Sequence, residues 1–133
     1  MASGQRESFD RAIQQWNVGD LTGYLDLYDE AIQLYGYSEV PMGKPEVRDF
    51  YRGIFEALAD IELEIHEVVE DGFQLGCRFT MHGTHVGPMA GIEPTGRRVH
   101  QEGMTILRFG ESGRVVERHS VADFGAVIRQ LTE

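Results

Sequence analysis

The chain has 133 residues and a formal net charge of −10, from 12 Lys and Arg against 22 Asp and Glu. This length predicts a single domain over residues 1–133 that can bury a core without stabilising disulfides or metal ions. The acidity argues against a nucleic-acid partner, since phosphate backbones bind basic surfaces, and the lone Cys77 excludes a disulfide framework or a cysteine-based zinc site.

The first half of the chain predicts mainly helices. Residues 7–17 repeat apolar side chains, including Trp16, at three- and four-residue spacing, and residues 21–28 follow as a short capped helix. Residues 31–37 alternate like a strand. A third helix is predicted near residues 45–59, because proline and glutamate open it and a broad apolar face follows.

The second half predicts four long strands, near residues 61–70, 73–85, 97–109 and 114–123. Asp71-Gly72 is a strong signal for a tight hairpin turn, and glycine-rich segments separate the later strands. A short helix closes the chain. Helices followed by strands predict an α+β fold, a cone-shaped curved antiparallel sheet with the N-terminal helices closing one face. The inside of such a cone is a natural pocket for an apolar small molecule.

No apolar run reaches the ~18 residues of a membrane span, so no membrane partner is expected. The first residues lack the apolar segment of a secretory signal, which makes the cytoplasm the expected compartment. The spacing of the five histidines does not require a metal site.

Several segments resemble the SnoaL-like polyketide cyclase and ester cyclase family of the nuclear transport factor 2-like superfamily. They lie at residues 16–20 with 27–28, 83–87, 91–99, 102–104, 108–109 and 113–117. The resemblance implies a cone-shaped α+β barrel with an apolar pocket, often a homodimer. It also implies a possible intramolecular aldol closure of a polyketide that uses neither metal nor organic cofactor.

The family's acid–base pair, a histidine and an aspartate, falls on Thr105 and Ser120 in this chain. Neither side chain is a base at neutral pH, so we expect the family's aldol mechanism not to operate here. Catalysis would then require another group near the pocket mouth. His85 is the first candidate, as base or donor, with Tyr35 and Asp123 behind it. The alternative for His85 is a structural ring that caps loop backbone.

If Ser120 faces the interior, strand alternation directs His119 outward. The residues expected around the cavity are Trp16, Tyr28, Phe50, Ile54, Phe79, Met81, Thr105, Leu107 and Ser120. Apolar residues on the opposite face of the last two strands, including Met104, Ile106 and Val121, predict a homodimer. The sequence leaves open a cofactor-independent cyclase or isomerase, a non-catalytic binding module for a hydrophobic ligand, and a dimerisation domain.

Overall fold

The computed structural model describes residues 3–133, and this part of the chain forms four helices and five strands. In chain order they are α1 Ser3–Asn17, α2 Leu21–Leu25, β1 Tyr28–Tyr35, α3 Lys44–Ala57, β2 Leu58–Asp71, β3 Gln74–His85, β4 Arg98–Phe109, β5 Val115–Ala122 and α4 Phe124–Thr132. The α+β class and the four long strands predicted from the sequence are confirmed.

The five strands form one sheet in the order β1-β5-β4-β3-β2. Strands β2 to β5 are an antiparallel meander, whereas β1 runs parallel to β5. This parallel edge was not predicted. It arises because α3 separates β1 from β2, so the first strand joins the opposite edge of the sheet and pairs with the last strand.

Register shifts give the sheet its curvature. Two lie in β2, between Ala59 and Glu62 and between Ile65 and Glu67, and Asp60 within the first has a φ of 49°. An extra residue on one strand bends it and increases its twist. The bent sheet encloses space on its concave side.

Local sequence explains where most helices begin. The Asp20 carboxylate accepts a hydrogen bond from the Gly23 N–H at the start of α2, and Glu46 Oε1 accepts one from the Gly43 N–H at the start of α3. These bonds satisfy amide groups that have no partner within the helix. The second helix is shorter than predicted, because the chain is already extended beside β5 from Tyr28 onward.

The buried core lies between the concave face of the sheet and α1, α2 and α3, with Trp16, Tyr28 and Leu107 almost fully enclosed. Helix α4 lies along the part of β4 that extends past β5. There the Gln130 side chain accepts from the His100 N–H and donates to the His100 carbonyl, each at 2.8 Å. Among residues 3–133, no helix combines the length and apolarity needed to cross a bilayer.

Candidate functional site

A cavity of about 360 Å³ lies inside the cone, a size within the usual range for small-molecule sites. Its wall is mostly aromatic and aliphatic, formed by Trp16, Tyr24, Gly36, Tyr37, Phe50, Tyr51, Ile54, Leu58, Leu63, Phe79, Met81, Met89, Val99, Ala122, Phe124 and Val127. Two further lining residues are strongly polar, Gln101 and Arg118. Met89 comes from the loop between β3 and β4, so that loop borders the cavity.

Arg118 is the charged residue of this wall, and only 7% of it is exposed. Its Nη1 nitrogen lies within hydrogen-bond distance of three phenol oxygens, those of Tyr24, Tyr28 and Tyr51. The three phenols also contact one another, with 2.6 Å between the Tyr24 and Tyr28 oxygens. One guanidinium therefore joins β5 to α2, β1 and α3.

The other side of the guanidinium is held by two hydroxyls. Arg118 Nε lies 2.9 Å from Thr105 Oγ1 and 2.8 Å from Ser120 Oγ, and these hydroxyl oxygens are 2.8 Å apart. Thr105 pairs directly with Ser120 across β4 and β5. The Thr105 hydroxyl also donates to the His119 carbonyl. Both hydroxyls thus fix the orientation of the arginine.

Burial raises the pKa of Tyr24 and of Tyr51 well above the ordinary value of 10.0, and the opposing charge of Arg118 does not overcome this. Burial alone would lower the pKa of Arg118, but the phenol oxygens around it hold that pKa above its ordinary value. At neutral pH the cluster is therefore one cation surrounded by neutral hydroxyl groups.

No carboxylate of the described residues pairs with this cation, since the ion pairs within residues 3–133 all involve other side chains. The Nη2 nitrogen has no hydrogen-bond partner among these residues and is not fully enclosed. Trp16 also lines the cavity. Its indole Nε1 is buried and has no hydrogen-bond acceptor among residues 3–133. The site thus offers donors that lack protein acceptors.

The residues expected around the cavity fall into three groups. Five line it: Trp16, Phe50, Ile54, Phe79 and Met81. Tyr28, Thr105 and Leu107 border a smaller space of about 30 Å³, which shares Tyr24, Phe79 and Arg118 with the cavity. Ser120 borders neither space but is buried behind the guanidinium, so its inward direction agrees with the strand alternation.

The three residues suggested for catalysis do not line the cavity. His85 is fully buried, and its Nδ1 accepts a hydrogen bond from the Thr95 N–H at 3.1 Å, which ties the β3–β4 loop to β3. Tyr35 lies on the outer sheet face, stacked on His119 at 4.5 Å between ring centroids. Asp123 is exposed and caps α4 through the Ala126 N–H. In this arrangement Tyr35 points outward and Asp123 serves a helix end, so a catalytic role for either residue stays a prediction.

Sequence reasoning missed Arg118 as a site residue. The available signal was strand alternation, which already placed Arg118 on the same face as the inward Ser120. An arginine on the interior face of a strand is rare unless it is paired or functional. The tyrosines that surround it could not be identified, because they lie 94, 90 and 67 residues away in the sequence.

Two other possible binding sites are less well suited than this one. A larger groove of about 730 Å³ lies between α1 and the β4–β5 turn, but its walls are mostly polar or glycine residues near the surface and include no buried charge. Within residues 3–133, no group of three or more His, Cys, Asp or Glu side chains is placed to hold a metal ion. The buried arginine in an apolar cavity is the arrangement best suited to bind a small molecule.

Solved structures with the same fold cover nearly the whole chain. AclR from Streptomyces galilaeus, described as a candidate hydroxylase, superimposes with a TM-score of 0.90 at 24% identity, covering 99% of this chain and 83% of AclR. A candidate SnoaL-like polyketide cyclase from Jannaschia sp. CCS1 gives 0.86 at 19% identity, covering 98% and 93%. IdmH from Streptomyces antibioticus, a candidate polyketide cyclase, gives 0.81 at 20% identity, covering 97% and 99%.

At these identities the structural likeness establishes the fold alone. No curated protein shows detectable sequence similarity to the chain. The sequence does match the SnoaL-like polyketide cyclase family over residues 7–131, which is nearly its full length. The family match, the curved five-stranded sheet and the enclosed cavity agree, and the chain belongs to the SnoaL-like polyketide cyclase family.

Proposed function

We propose that the protein is a cofactor-independent enzyme of the cyclase or isomerase kind, acting on an apolar substrate that carries carbonyl groups. The observation that supports this most directly is the buried guanidinium of Arg118 in the wall of an apolar cavity, whose Nη2 has no hydrogen-bond partner among residues 3–133. A fixed cation and neutral phenols in a dry site stabilise negative charge on oxygen far better than water does. An enolate oxygen is such a charge.

The chemistry follows from the cavity lining, which among the described residues includes no imidazole or carboxylate to act as a base. A 1,3-dicarbonyl substrate is acidic enough to lose its central C–H proton to water, and its enolate oxygen would then rest on Arg118 Nη2. The enolate carbon attacks a second carbonyl of the same molecule and forms the ring bond, and the resulting alkoxide takes a proton from water. The arginine stabilises charge, and the apolar wall holds the chain folded.

Thr105 and Ser120 take a positioning role in this proposal. By the sequence resemblance they take the positions of the family's histidine and aspartate, and both contact Arg118 Nε at hydrogen-bond distance. The pair that serves acid–base chemistry in relatives would here orient an electrophilic group. His85, through its bond to the Thr95 N–H, would shape the cavity border by holding the loop that carries Met89.

The test is turnover of linear aryl 1,3-diketones that carry a third ketone farther along the chain, followed by loss of the enol absorbance and by product mass. Arg118→Met should lower the rate by ~10²–10³-fold, the usual cost of removing an oxyanion donor. Arg108→Met is the matched control, because Arg108 is an exposed arginine paired with Glu117. Equal rates for wild type and Arg118→Met on a substrate that does turn over would rule out this role.

A second candidate is a binding module that holds an apolar carbonyl compound without turnover. The supporting observation is that, among the described residues, neither an imidazole nor a carboxylate lines the cavity. A module of this kind would raise the melting temperature on ligand binding without consuming the ligand. The substrate panel separates the two candidates, since each compound is scored for binding and for product.

We also propose that the protein is a homodimer joined through the outer face of β4 and β5. Met104, Ile106 and Val121 are 59%, 52% and 79% exposed there. They surround a shallow groove of about 310 Å³ that also includes Tyr35 and His119. An apolar patch of this kind on an acidic protein is typical of an interaction surface.

A further inference from the structure

We infer that the cavity binds its ligand as an anion, an apolar molecule whose head is a delocalised oxyanion held by Arg118. A carboxylate and an ionised 1,3-dicarbonyl share this chemistry, since each spreads one negative charge over two oxygen atoms. The inference rests on the site of the proposed function and names its substrate class.

The first argument is charge. Arg118 is buried, yet the groups within hydrogen-bond distance of its guanidinium are hydroxyls, three phenolic and two aliphatic. An arginine cannot shed its charge in a protein, and a buried cation without a counter-ion is unfavourable. An anionic ligand would supply the counter-ion that the described residues do not.

The second argument is the surplus of donors. The two hydrogen bonds among the three phenols use at most two of their three protons. Arg118 Nη2 adds two more N–H groups, which have no acceptor among residues 3–133 and are not fully enclosed. Buried donors without acceptors are rare in folded proteins. A ligand head with two oxygen acceptors and no proton matches this surplus.

The third argument is shape. The remaining wall is aromatic and aliphatic, with Phe50, Ile54, Phe79 and Met81 among its residues, so the body of the ligand must be apolar. The outer surface of this protein carries a net charge of −10 and repels anions. A preference for anions must therefore arise in the cavity rather than at the surface.

A purely structural Arg118 is the competing explanation, because the guanidinium joins β5 to three other elements through the phenols. The two explanations differ in what the cavity selects. A structural arginine predicts equal affinity for an acid and its neutral derivative, whereas an anion site predicts a preference for the acid.

The experiment measures Kd by isothermal titration calorimetry for two matched pairs at neutral pH. The first pair is 2-naphthoic acid and its methyl ester, and the second is 4-hydroxycoumarin and 4-methoxycoumarin. In each pair the ring system is kept and only the acidic head is blocked. We expect wild-type protein to bind each acid at least about tenfold more tightly than its neutral partner. A preference in only one pair identifies which oxyanion source the site accepts.

Two variants assign the preference to the cavity. Arg118→Met should reduce the ratio of the two Kd values to about one, and Arg108→Met should leave the wild-type ratio unchanged. If Arg118→Met does not fold, wild-type protein still decides the question. The Kd for 2-naphthoic acid should then rise as pH falls through the pKa of the ligand, while that of the ester stays constant.

Equal binding of acid and neutral partner by wild-type protein in both pairs overturns the inference, as does an acid preference that survives Arg118→Met. The inference is also overturned if neither acid binds detectably at millimolar concentration. These outcomes are separable from the proposed function. Turnover without a preference for the acids would support the proposed enzyme and contradict the anion site. A preference for the acids without turnover would support the anion site and contradict the enzyme.

Discussion

Strands β4 and β5 have two faces that reverse the usual distribution of polar and apolar residues. On the inner face, Thr105, Arg118 and Ser120 are buried polar groups. On the outer face, Met104 and Val121 are exposed and apolar. A soluble sheet normally places apolar residues inside and polar residues outside. Both departures from this pattern support the proposals made above, of a ligand on the inner face and of a second copy on the outer face.

The two faces also differ in how they are constrained. The inner polar groups form a connected network, in which Arg118 contacts five hydroxyl oxygens. The outer residues make separate pairwise contacts, the Tyr35–His119 stack and the bonds of Glu117 with His119 and Arg108. A buried network is sensitive to any single change, because every lost partner leaves another group unsatisfied. An exposed patch tolerates substitution unless it is covered by a partner.

Ser120→Asp tests the inner face most severely. The new carboxylate would lie next to Arg118 Nε, now 2.8 Å from the serine oxygen, and would pair with the cation. We expect the preference for 2-naphthoic acid over its ester to fall from at least about tenfold to about one, since the counter-ion is then internal. Calorimetric titration of both ligands measures this. Ser120→Asn keeps the shape without the charge and should retain most of the preference.

Alkaline pH tests the buried phenols. The pKa of Tyr51 is raised in the folded protein, so above pH 10 the unfolded chain loses a proton that the folded chain keeps, and stability must fall as pH rises. Each such phenol contributes a slope of about 1.4 kcal/mol per pH unit. Half of this slope is reached at pH 10 and about nine-tenths at pH 11, so we expect Tyr51→Phe to reduce the loss of stability between these two pH values by about 1 kcal/mol, measured by urea unfolding.

Tyr35→Phe is the control for this measurement, because it removes a phenol from the outer face of the sheet. A slope that is the same in wild type and Tyr51→Phe would contradict the assignment of Tyr51 to a closed, dry environment. Below pH 10 the raised pKa predicts no contribution of this phenol to the pH dependence of stability.

Val121→Lys tests the outer face and should have the smallest effect on the folded chain. Val121 is 79% exposed, so its replacement should change the free energy of unfolding of one chain by no more than about 0.5 kcal/mol. Sedimentation should nevertheless show the mass fall from that of a dimer to 15.0 kDa. Val69→Lys, at an exposed site on β2, should leave the mass unchanged. A wild-type protein that sediments at 15.0 kDa at micromolar concentration would exclude the dimer.

The sequence by itself determined the fold class, the four antiparallel strands and the opposite directions of His119 and Ser120 on β5. Period-two alternation and glycine at turns are local signals. They can be interpreted without knowing which distant residues each segment contacts. Gly72, for example, has the positive φ of 60° that the Asp71-Gly72 turn predicts. The resemblance placed Ser120 inward and alternation then directed His119 outward, and the 4% exposure of Ser120 agrees with this.

Only the tertiary structure decided which residues surround these side chains. Tyr24, Tyr28 and Tyr51 meet Arg118 because α2 and α3 pack onto the concave face while β1 pairs with β5. No local pattern encodes which of their residues reach Arg118. His85 was suggested as a base from its type, but its surroundings make it a partner of the Thr95 N–H. Chemical role depends on burial and neighbours, and both are set by contacts between residues that are far apart in the chain.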